Sequence, residues 1–347
     1  MKSDIKEMSL EELENVLADM NQPGYRAKQL YEWIHTHNAS SYEDMTNLPK
    51  TLRQQLADSY PMESSRILQK HEADDGAVKY LIEFKDGSLA EMVAISDMDD
   101  SGRERITACI SSQIGCPLEC AFCATGRQGF MRDLTADEIV SQVVLMKKDK
   151  GRRIDNVVVM GQGEPFLNYD NVIHALRRIN KDKGIGIGAR HITISTSGIT
   201  DGIYDLIDVP EQFRLAISLH SADQTTRNML MPRLSGQPLH SLKKALKSYC
   251  ALKGRRVTIE YMLIDGVNDS EDQLDRLIAF CEGLNVHVNL LRFNKFKGSE
   301  FNTSSEDVID YWLQILNSDG ITASLRNSKG SDVAGACGQL AVDIIQD

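Results

Sequence analysis

The N-terminal part of the chain, residues 1–62, has the hydrophobic spacing of α-helices. Leu10, Leu13 and Leu17 recur at intervals of three and four residues, which puts them on one face of a helix. A turn at Pro23-Gly24 separates this segment from a second one with the same periodicity. The pattern predicts a small N-terminal helical domain.

The helical spacing ends within residues 63–103. Residues 79–84 and 89–95 are short, mostly apolar runs that resemble two strands, and a Lys-Asp-Gly turn at 85–87 lies between them. This segment is predicted to be a β-hairpin that links the helical domain to the rest of the chain.

Strand-like and helix-like patterns then alternate along residues 104–320. Short apolar runs typical of buried strands lie at residues 106–112, 156–161, 191–197, 213–220, 257–264 and 287–293. Helical patterns lie near residues 136–149, 169–182, 200–207, 238–252, 270–283 and 305–318. Repeated strand–helix units predict an α/β fold with a parallel sheet and outer helices, either an open doubly wound sheet or a partial (β/α)6 barrel. A last strand and a tail are expected in residues 321–347.

Composition narrows the class of protein. With 41% hydrophobic and 26% charged residues, the 347-residue chain is ordinary for a globular protein. It has no apolar run near the roughly 20 residues that span a bilayer. Its acidic N-terminus lacks a signal-peptide core, so we expect a cytoplasmic protein without a membrane anchor. The net charge of −11 argues against a general nucleic-acid coat protein, although local basic patches still permit RNA binding.

Chemically unusual residues follow the predicted strands. Parallel α/β proteins carry their sites at the carboxyl ends of the strands. In this chain those positions hold Cys116, the turn 161–164, Ser195, Ser197, Ser218, His220 and Asn294. This distribution predicts a functional site at that edge of the sheet.

Cys116, Cys120 and Cys123 form the motif C-x3-C-x2-C. Three thiolates this close along the chain can ligate three irons of a [4Fe–4S] cluster, which leaves one iron open for a small ligand. Structural zinc normally needs four ligands, and further candidates lie far away in the sequence, so zinc is the less favoured alternative. Seven cysteines without a secretion signal also argue against a disulfide scaffold. Cys250 and Cys281 lie in predicted helices and are interpreted as core residues.

The turn from Gly161 to Glu164 follows the second predicted strand of the alternating region. A dinucleotide-binding loop would need a third glycine where this chain has Phe166, so that interpretation fails. Glu164 is instead suited to accept hydrogen bonds from a cation, with a plain surface turn as the alternative.

Over nearly its whole length the chain resembles one branch of the radical S-adenosylmethionine (SAM) enzymes, the adenine-C2 RNA methyltransferases of the RlmN type. The motifs that carry the resemblance are GYRAKQLYEW at 24–33, CISSQIGC at 109–116, STSG at 195–198, SLH at 218–220, DGVND at 265–269 and ACGQL at 336–340. The cysteine of the last motif, Cys337, is not needed by a generic radical SAM fold. The resemblance implies a partial radical SAM barrel that binds a [4Fe–4S] cluster and SAM.

The resemblance also implies a two-cysteine mechanism that uses two SAM molecules per turnover. Cys337 would accept a methyl group from one SAM, and a 5′-deoxyadenosyl radical from the other would take a hydrogen atom from that methyl. The carbon radical would add to adenine C2, Glu91 would remove the ring proton, and Cys109 would release the product by forming a disulfide with Cys337. These residue types suit the chemistry, because a thiolate accepts methyl groups readily and a second thiol can end a thioether adduct.

The same resemblance implies the ligands and partners. The SAM-binding positions would be Gly163, Glu164, Ser195, Ser218, Leu219, His220 and Asn294. The RNA substrates would be the peptidyl-transferase region of large-subunit rRNA and an adenosine beside the anticodon of some tRNAs. A flavodoxin or ferredoxin would donate the electron, and the protein is expected to be a monomer.

Several alternatives stay open at this point. Asn294 is followed by lysine where the family usually has proline, and Gln162 stands where methionine is frequent. A Cfr-type enzyme that methylates adenine C8 and confers antibiotic resistance is one alternative. Others are a radical SAM enzyme with a peptide or small-molecule substrate, against which the helical domain argues, and a metal-stabilised RNA-binding module. Cys109 would then be a core thiol and Cys337 a free thiol of the tail.

Overall fold

The N-terminal part of the structure is helical, as its periodicity predicts. A computed structural model describes residues 5–6, 8–37, 39, 41–60, 62, 65–99, 101–181 and 184–342. Its first α-helices are α1 (Leu10–Asp19), α2 (Tyr25–His35) and α3 (Lys50–Ser59). Ser9 and Glu12 form a capping box, in which each side chain accepts the other residue's backbone N–H, so α1 begins where this pair stands. The helices enclose a core of their own, in which Leu13 and Leu17 are fully buried.

One large sheet continues through the rest of the molecule. The described strands are β1 (Arg66–Glu72), β2 (Val78–Glu83), β3 (Leu89–Met98), β4 (Glu104–Ile110), β5 (Gln113–Gly115), β6 (Phe130–Asp133), β7 (Asn156–Val159), β8 (Ile192–Thr196), β9 (Arg214–Ser218), β10 (Val257–Leu263), β11 (Val286–Arg292) and β12 (Ala323–Arg326). Ten of these described strands pair in the order β1-β2-β3-β4-β7-β8-β9-β10-β11-β12. Strands β1 to β4 are antiparallel, and all neighbours from β4 to β12 are parallel. The short strands β5 and β6 form a separate antiparallel pair.

Helices alternate with the parallel strands. They are α4 (Ala124–Gln128), α5 (Ala136–Lys150), α6 (Tyr169–Asn180), α7 (Thr200–Asp208), α8 (Gln224–Leu230), α9 (Leu239–Lys253), α10 (Glu271–Cys281) and α11 (Glu306–Ser318). Their apolar faces pack with the strands into one core, to which α6 contributes Leu176, α9 Leu246 and α11 Trp312. The loops after the parallel strands therefore have a rigid support at the carboxyl edge of the sheet.

This architecture confirms the predicted α/β fold with a parallel sheet and outer helices, with differences in detail. Strand β1 lies outside the predicted strands because most of its side chains are exposed, so it has little apolar alternation. The predicted hairpin consequently belongs to a three-stranded antiparallel extension of the main sheet. Strand β12, expected together with the tail, pairs in parallel with β11. The domain boundaries at residues 62, 103 and 320 stay a prediction.

Within the described ranges, no helix combines the length and the apolar character that crossing a membrane requires.

Candidate functional site

A cavity of about 490 Å³ lies at the carboxyl ends of the parallel strands. Strand residues that line it include Val159 of β7, Ser195 of β8, Ser218 of β9, Met262 of β10, Leu291 of β11 and Arg326 of β12. Loops and the C-terminal tail provide further lining. The cavity thus lies where the sequence carries its chemically unusual residues.

The cysteine motif occupies the loop between β5 and β6, and Cys116, Cys120 and Cys123 all line the cavity. The backbone N–H of Cys123 donates to the carbonyl of Cys120 at 3.1 Å, which closes a tight turn. The N–H of Ala121 donates to the carbonyl of Leu230 at 2.9 Å and so ties the loop to α8. The three thiols are therefore held by backbone contacts that do not depend on a metal.

The donor set fits an iron–sulfur cluster better than a single metal ion. Burial raises the pKa of Cys116 to about 12 and also raises the pKa of Cys120 and of Cys123, so a bound metal is needed to stabilise their thiolates. Among the described residues, no three His, Cys, Asp or Glu side chains converge closely enough to hold one ion. In a cubane each cysteine binds a different iron, so its sulfurs stand farther apart than the ligands of one zinc.

The turn after β7 requires glycine. Gly163 has a φ of +102°, and a Cβ atom there would lie 2.6 Å from the Cβ of Gln113 and 2.7 Å from the Oγ of Ser112. This close approach brings the N–H of Glu164 to 2.8 Å from the Oε1 of Gln113. The turn is therefore packed directly against β5 and against Ser112, the residue before β5, beside the cysteine loop.

The carboxylate of Glu164 lines the cavity and is held by three donors. Its Oε2 accepts from the backbone N–H and the hydroxyl of Ser197, both at 2.7 Å, and its Oε1 accepts from the N–H of Phe166 at 2.9 Å. Burial raises the pKa of the carboxyl group, and these hydrogen bonds oppose the rise. The arrangement fixes a buried acidic group in an orientation that suits a cationic amine.

Of the other residues predicted to contact SAM, some line the cavity and others do not. The hydroxyls of Ser195 and Ser218 stand 3.3 Å apart and line the cavity. His220 also lines it; burial lowers the pKa of His220 to about 3, and its Nδ1 accepts the N–H of Met262 at 3.1 Å, as a neutral ring can. The side chain of Leu219 is fully buried in the core and is not among the described residues that line the cavity.

Asn294 holds the C-terminal tail. Its Nδ2 donates to the carbonyl of Cys337 at 3.1 Å and to the Oγ of Ser328 at 3.0 Å. The described lining of the cavity does not include Asn294. The backbone N–H of Ala124 donates to the carbonyl of Gly338 at 2.7 Å, which joins the tail to the end of the cysteine motif. In this structure Asn294 therefore positions Cys337, a role that the sequence did not predict.

Cys109 on β4 and Cys337 in the tail line the same cavity although they are far apart in the sequence. Cys109 belongs to a small apolar cluster with Val93 and Leu340, so the tail packs directly against its strand. Burial raises the pKa of Cys109 to about 12, and the nearby Cys337 adds to the rise. Both cysteines are free thiols in this structure, so it does not support a resting disulfide between them.

Glu91 lies beside the cavity and is not part of its described lining. The pairing of β3 with β4 sets Val93 opposite Cys109, so Glu91, two residues away from Val93, is on the same face of the sheet as Cys109. The Oε1 of Glu91 forms a buried ion pair with the Nζ of Lys79 at 3.1 Å. The N–H of Glu91 donates to the Oε1 of Gln162 at 3.1 Å, so the residue that departs from the family pattern supports this strand.

Arg326 and Glu260 line the cavity but lie outside the sequence-based prediction. The Nη1 of Arg326 stands 3.7 Å from the Oε2 of Glu260. The pKa of Arg326 is raised, first of all by the neighbouring Cys337. A signal for Glu260 existed, because an acidic residue within the apolar run 257–264 needs a partner when it is buried. The sequence carries no such signal for Arg326, because an arginine at the end of a strand resembles a solvent-exposed charge.

Comparisons with family models give two matches. Residues 110–278 match the radical SAM superfamily. Residues 3–61 match the ribosomal RNA large subunit methyltransferase N-terminal domain. The matches cover the cysteine loop with most of the parallel sheet, and the helical region.

Relatives extend the similarity to almost the whole chain. A protein of Syntrophomonas wolfei named "Probable dual-specificity RNA methyltransferase RlmN" is 38% identical over 99% of this chain and 98% of its own length. A protein of the same name from Caldanaerobacter subterraneus subsp. tengcongensis is 40% identical over 97% of each chain. The crystal structure of a radical SAM methyltransferase from Sphaerobacter thermophilus is 40% identical and superposes with a TM-score of 0.89, covering 98% of this chain and 99% of that one.

Proposed function

Because the chain belongs to the RlmN family of radical SAM RNA methyltransferases, we propose that it methylates C2 of an adenine in 23S rRNA, in the peptidyl-transferase region. The match of its helical region to the N-terminal domain of large-subunit rRNA methyltransferases supports an rRNA substrate. An adenosine beside the anticodon of tRNA is the second proposed substrate. The relatives' description as dual-specificity enzymes supports a pair of RNA substrates.

The observation that carries this proposal is one shared cavity. It is lined by the three cysteines of the motif and also by Cys109 and Cys337. A generic radical SAM site needs the cysteine loop and the SAM-binding turn, but neither of the other two thiols. Their presence supports a reaction in which a methyl group passes through a protein sulfur.

The cysteine loop and the turn after β7 would hold the cofactors. Cys116, Cys120 and Cys123 would ligate a [4Fe–4S] cluster, which with SAM supplies reductive cleavage of the methionine sulfonium. Glu164, whose oxygens are fixed by backbone and hydroxyl donors, would bind the cationic amine of SAM. The buried, partly apolar walls of the cavity would exclude water from the reacting groups.

Cys337 is the proposed methyl acceptor. Its thiolate would attack the methyl carbon of a first SAM molecule. A C–S bond to Cys337 forms as the bond from that carbon to the sulfonium sulfur breaks, and the leaving group is a neutral thioether. Arg326 lines the same cavity and places a positive charge near Cys337. Asn294 would keep the reacting sulfur in register, because it binds the carbonyl of the same residue.

Cys109 is the proposed resolving thiol. Its sulfur would bond to that of Cys337, breaking the bond between Cys337 and the methylene attached to adenine, and the freed carbon would take up a proton to become the methyl group. The raised pKa of Cys109 keeps it protonated until a base removes its proton. Glu91, on the same face of the sheet, is the proposed base for the C2 proton, and Lys79 holds its carboxylate in place. Loss of that proton from the radical adduct, together with one electron that the cluster would take up, would give the thioether that Cys109 cleaves.

The remaining partners are also proposals. A flavodoxin or ferredoxin would supply the electron, two SAM molecules would be used per turnover, and the protein would act as a cytoplasmic monomer. Exposed Lys295 and Lys297 lie in the loop after β11, and the carbonyl of Lys295 accepts a hydrogen bond at 2.7 Å from the Nε2 of Gln339, next to the Cys337 tail. These lysines support RNA binding beside the tail that carries Cys337, despite the acidic net charge.

The test is anaerobic reconstitution with iron and sulfide, followed by SAM, a reductant and an rRNA fragment, with the nucleosides analysed by mass spectrometry. We expect 2-methyladenosine. Formation of 8-methyladenosine would overturn the C2 assignment, and formation of 5′-deoxyadenosine without a methylated base would overturn the RNA substrate.

Variants separate the two-cysteine scheme from ordinary radical SAM chemistry. Cys337→Ala should assemble a normal cluster and leave RNA unmethylated. Cys250→Ala, which changes a thiol on α9 outside the described lining of the cavity, is the matched control and should retain activity. Full methylation by Cys337→Ala would end the scheme.

A further inference from the structure

Arg227 on α8 is a buried cation with incomplete hydrogen bonding. Arg227 is 1% exposed, and its Nη2 donates to the carbonyl of Ser197. Its Nε and Nη1 have no hydrogen-bond partner among the described residues. The carboxylate of Glu164, which also bonds to Ser197, takes its hydrogen bonds from Ser197 and Phe166 and not from Arg227.

This arrangement is costly unless an anion lies close by. An unpaired charge in the protein interior loses its hydration without gaining a compensating interaction. Burial lowers the pKa of Arg227 to about 10, so the guanidinium remains charged at neutral pH. The ionisable neighbour that opposes this shift most strongly is Cys120, one of the three cysteines of the motif, and Glu164 comes second.

Arg227 lies close to the cysteine loop and is itself outside the described lining of the cavity. It lies one turn before Leu230, whose carbonyl accepts the N–H of Ala121 between the second and third cysteines. Leu230 and Cys120 belong to the same apolar cluster. The described lining of the cavity does not include Arg227, so its guanidinium stands behind the wall that SAM and RNA would meet.

We propose that Arg227 is the buried counter-cation of the iron–sulfur cluster and raises the cluster's reduction potential. A [4Fe–4S] cluster with three thiolates is an anion, and reduction adds one electron to it. A positive charge held nearby in a low-dielectric interior stabilises the reduced form more than the oxidised form. Arg227 is thus a positioning residue that acts through the cluster, and the inference rests on the proposed function because it presupposes that cluster.

The experiment is a redox titration of the reconstituted protein, monitored by electron paramagnetic resonance in the absence of SAM and RNA. Arg227→Met removes the charge and retains an unbranched side chain. Arg227→Lys retains a charge. Arg178→Met is the matched control, because Arg178 is also buried but pairs with Asp137 on α5.

The expected result is a more negative midpoint potential for Arg227→Met, a smaller change for Arg227→Lys, and no change for Arg178→Met. Arg227→Gln, which keeps a donor for Ser197, replaces the methionine variant if that variant does not fold. An unchanged midpoint in the neutral variant, or an equal shift in the lysine variant, overturns the inference while the cluster itself stands. A wild-type protein that assembles no cluster would instead refute the proposed function.

Discussion

Replacing Gly163 by alanine tests whether the turn that is proposed to bind SAM depends on close packing against β5. An alanine at a φ of +102° is strained by about 1–3 kcal/mol. Its Cβ would also lie 2.6 Å from the Cβ of Gln113, whose side chain cannot swing away easily. That side chain accepts the N–H of Glu164 and donates to the Oδ1 of Asp133, each at 2.8 Å. Overpacking of this kind costs about 1–3 kcal/mol more.

We therefore expect Gly163→Ala to lose about 2–6 kcal/mol of the free energy of unfolding. Displacement of Glu164 should also weaken SAM binding by about tenfold or more, since one charge-assisted hydrogen bond contributes about 1.5–3 kcal/mol. Urea unfolding and equilibrium dialysis with SAM measure the two effects. Gly87→Ala is the control, because Gly87 has a φ of +80° and open space around its missing Cβ, so it carries the strain without the overlap. Equal losses of stability in the two variants, with SAM affinity unchanged, would refute the reasoning.

Two further changes test the tail and the helical region. Asn294→Ala removes two hydrogen bonds to the tail, each of which contributes about 0.5–1.5 kcal/mol. The variant should methylate RNA more slowly, while its iron content and SAM affinity stay at wild-type values. A fall in SAM affinity would instead indicate that Asn294 contacts SAM directly. Burial and the charge of Arg178 lower the pKa of His35 to about 3, so below pH 6.5 the unfolded chain takes up a proton that the folded protein refuses. The free energy of unfolding should consequently fall by up to about 1.4 kcal/mol per pH unit from pH 6.5 towards pH 3. Urea unfolding of His35→Phe should have a flatter pH profile, whereas the exposed His37→Phe should match the wild type, and identical profiles for all three would contradict this account.

Much of the fold follows from local patterns. The parallel strands and their helices are apolar enough on one or both faces for periodicity to locate them within a few residues. Strand β1 is not predicted from the sequence, because its stability comes from pairing with β2 and not from a buried face. The parallel pairing of β12 with β11 depends on tertiary contacts that no local spacing encodes.

The site is less predictable, because side-chain partners come from distant parts of the chain. Gly163 and the three cysteines of the motif can be recognised from residue type and spacing. The role of Asn294 cannot, because its side chain donates to the carbonyl of Cys337, 43 residues away in the sequence. The role of Arg227 cannot be predicted from the sequence either, because an arginine on a short helix resembles a surface charge until its burial is known. Family resemblance proposes roles for such residues, and the structure supplies the partners that make those roles testable.

The most direct test of the central claim uses Cys109→Ala, which keeps the proposed methyl acceptor and removes the proposed resolving thiol. The variant is reconstituted anaerobically, incubated with SAM, reductant and the rRNA fragment, digested, and analysed by mass spectrometry. The account predicts a covalent RNA–protein adduct in which one carbon joins Cys337 to an adenine. If Cys109→Ala releases methylated RNA at the wild-type rate and no adduct accumulates, Cys109 is a structural thiol and the two-cysteine mechanism is wrong.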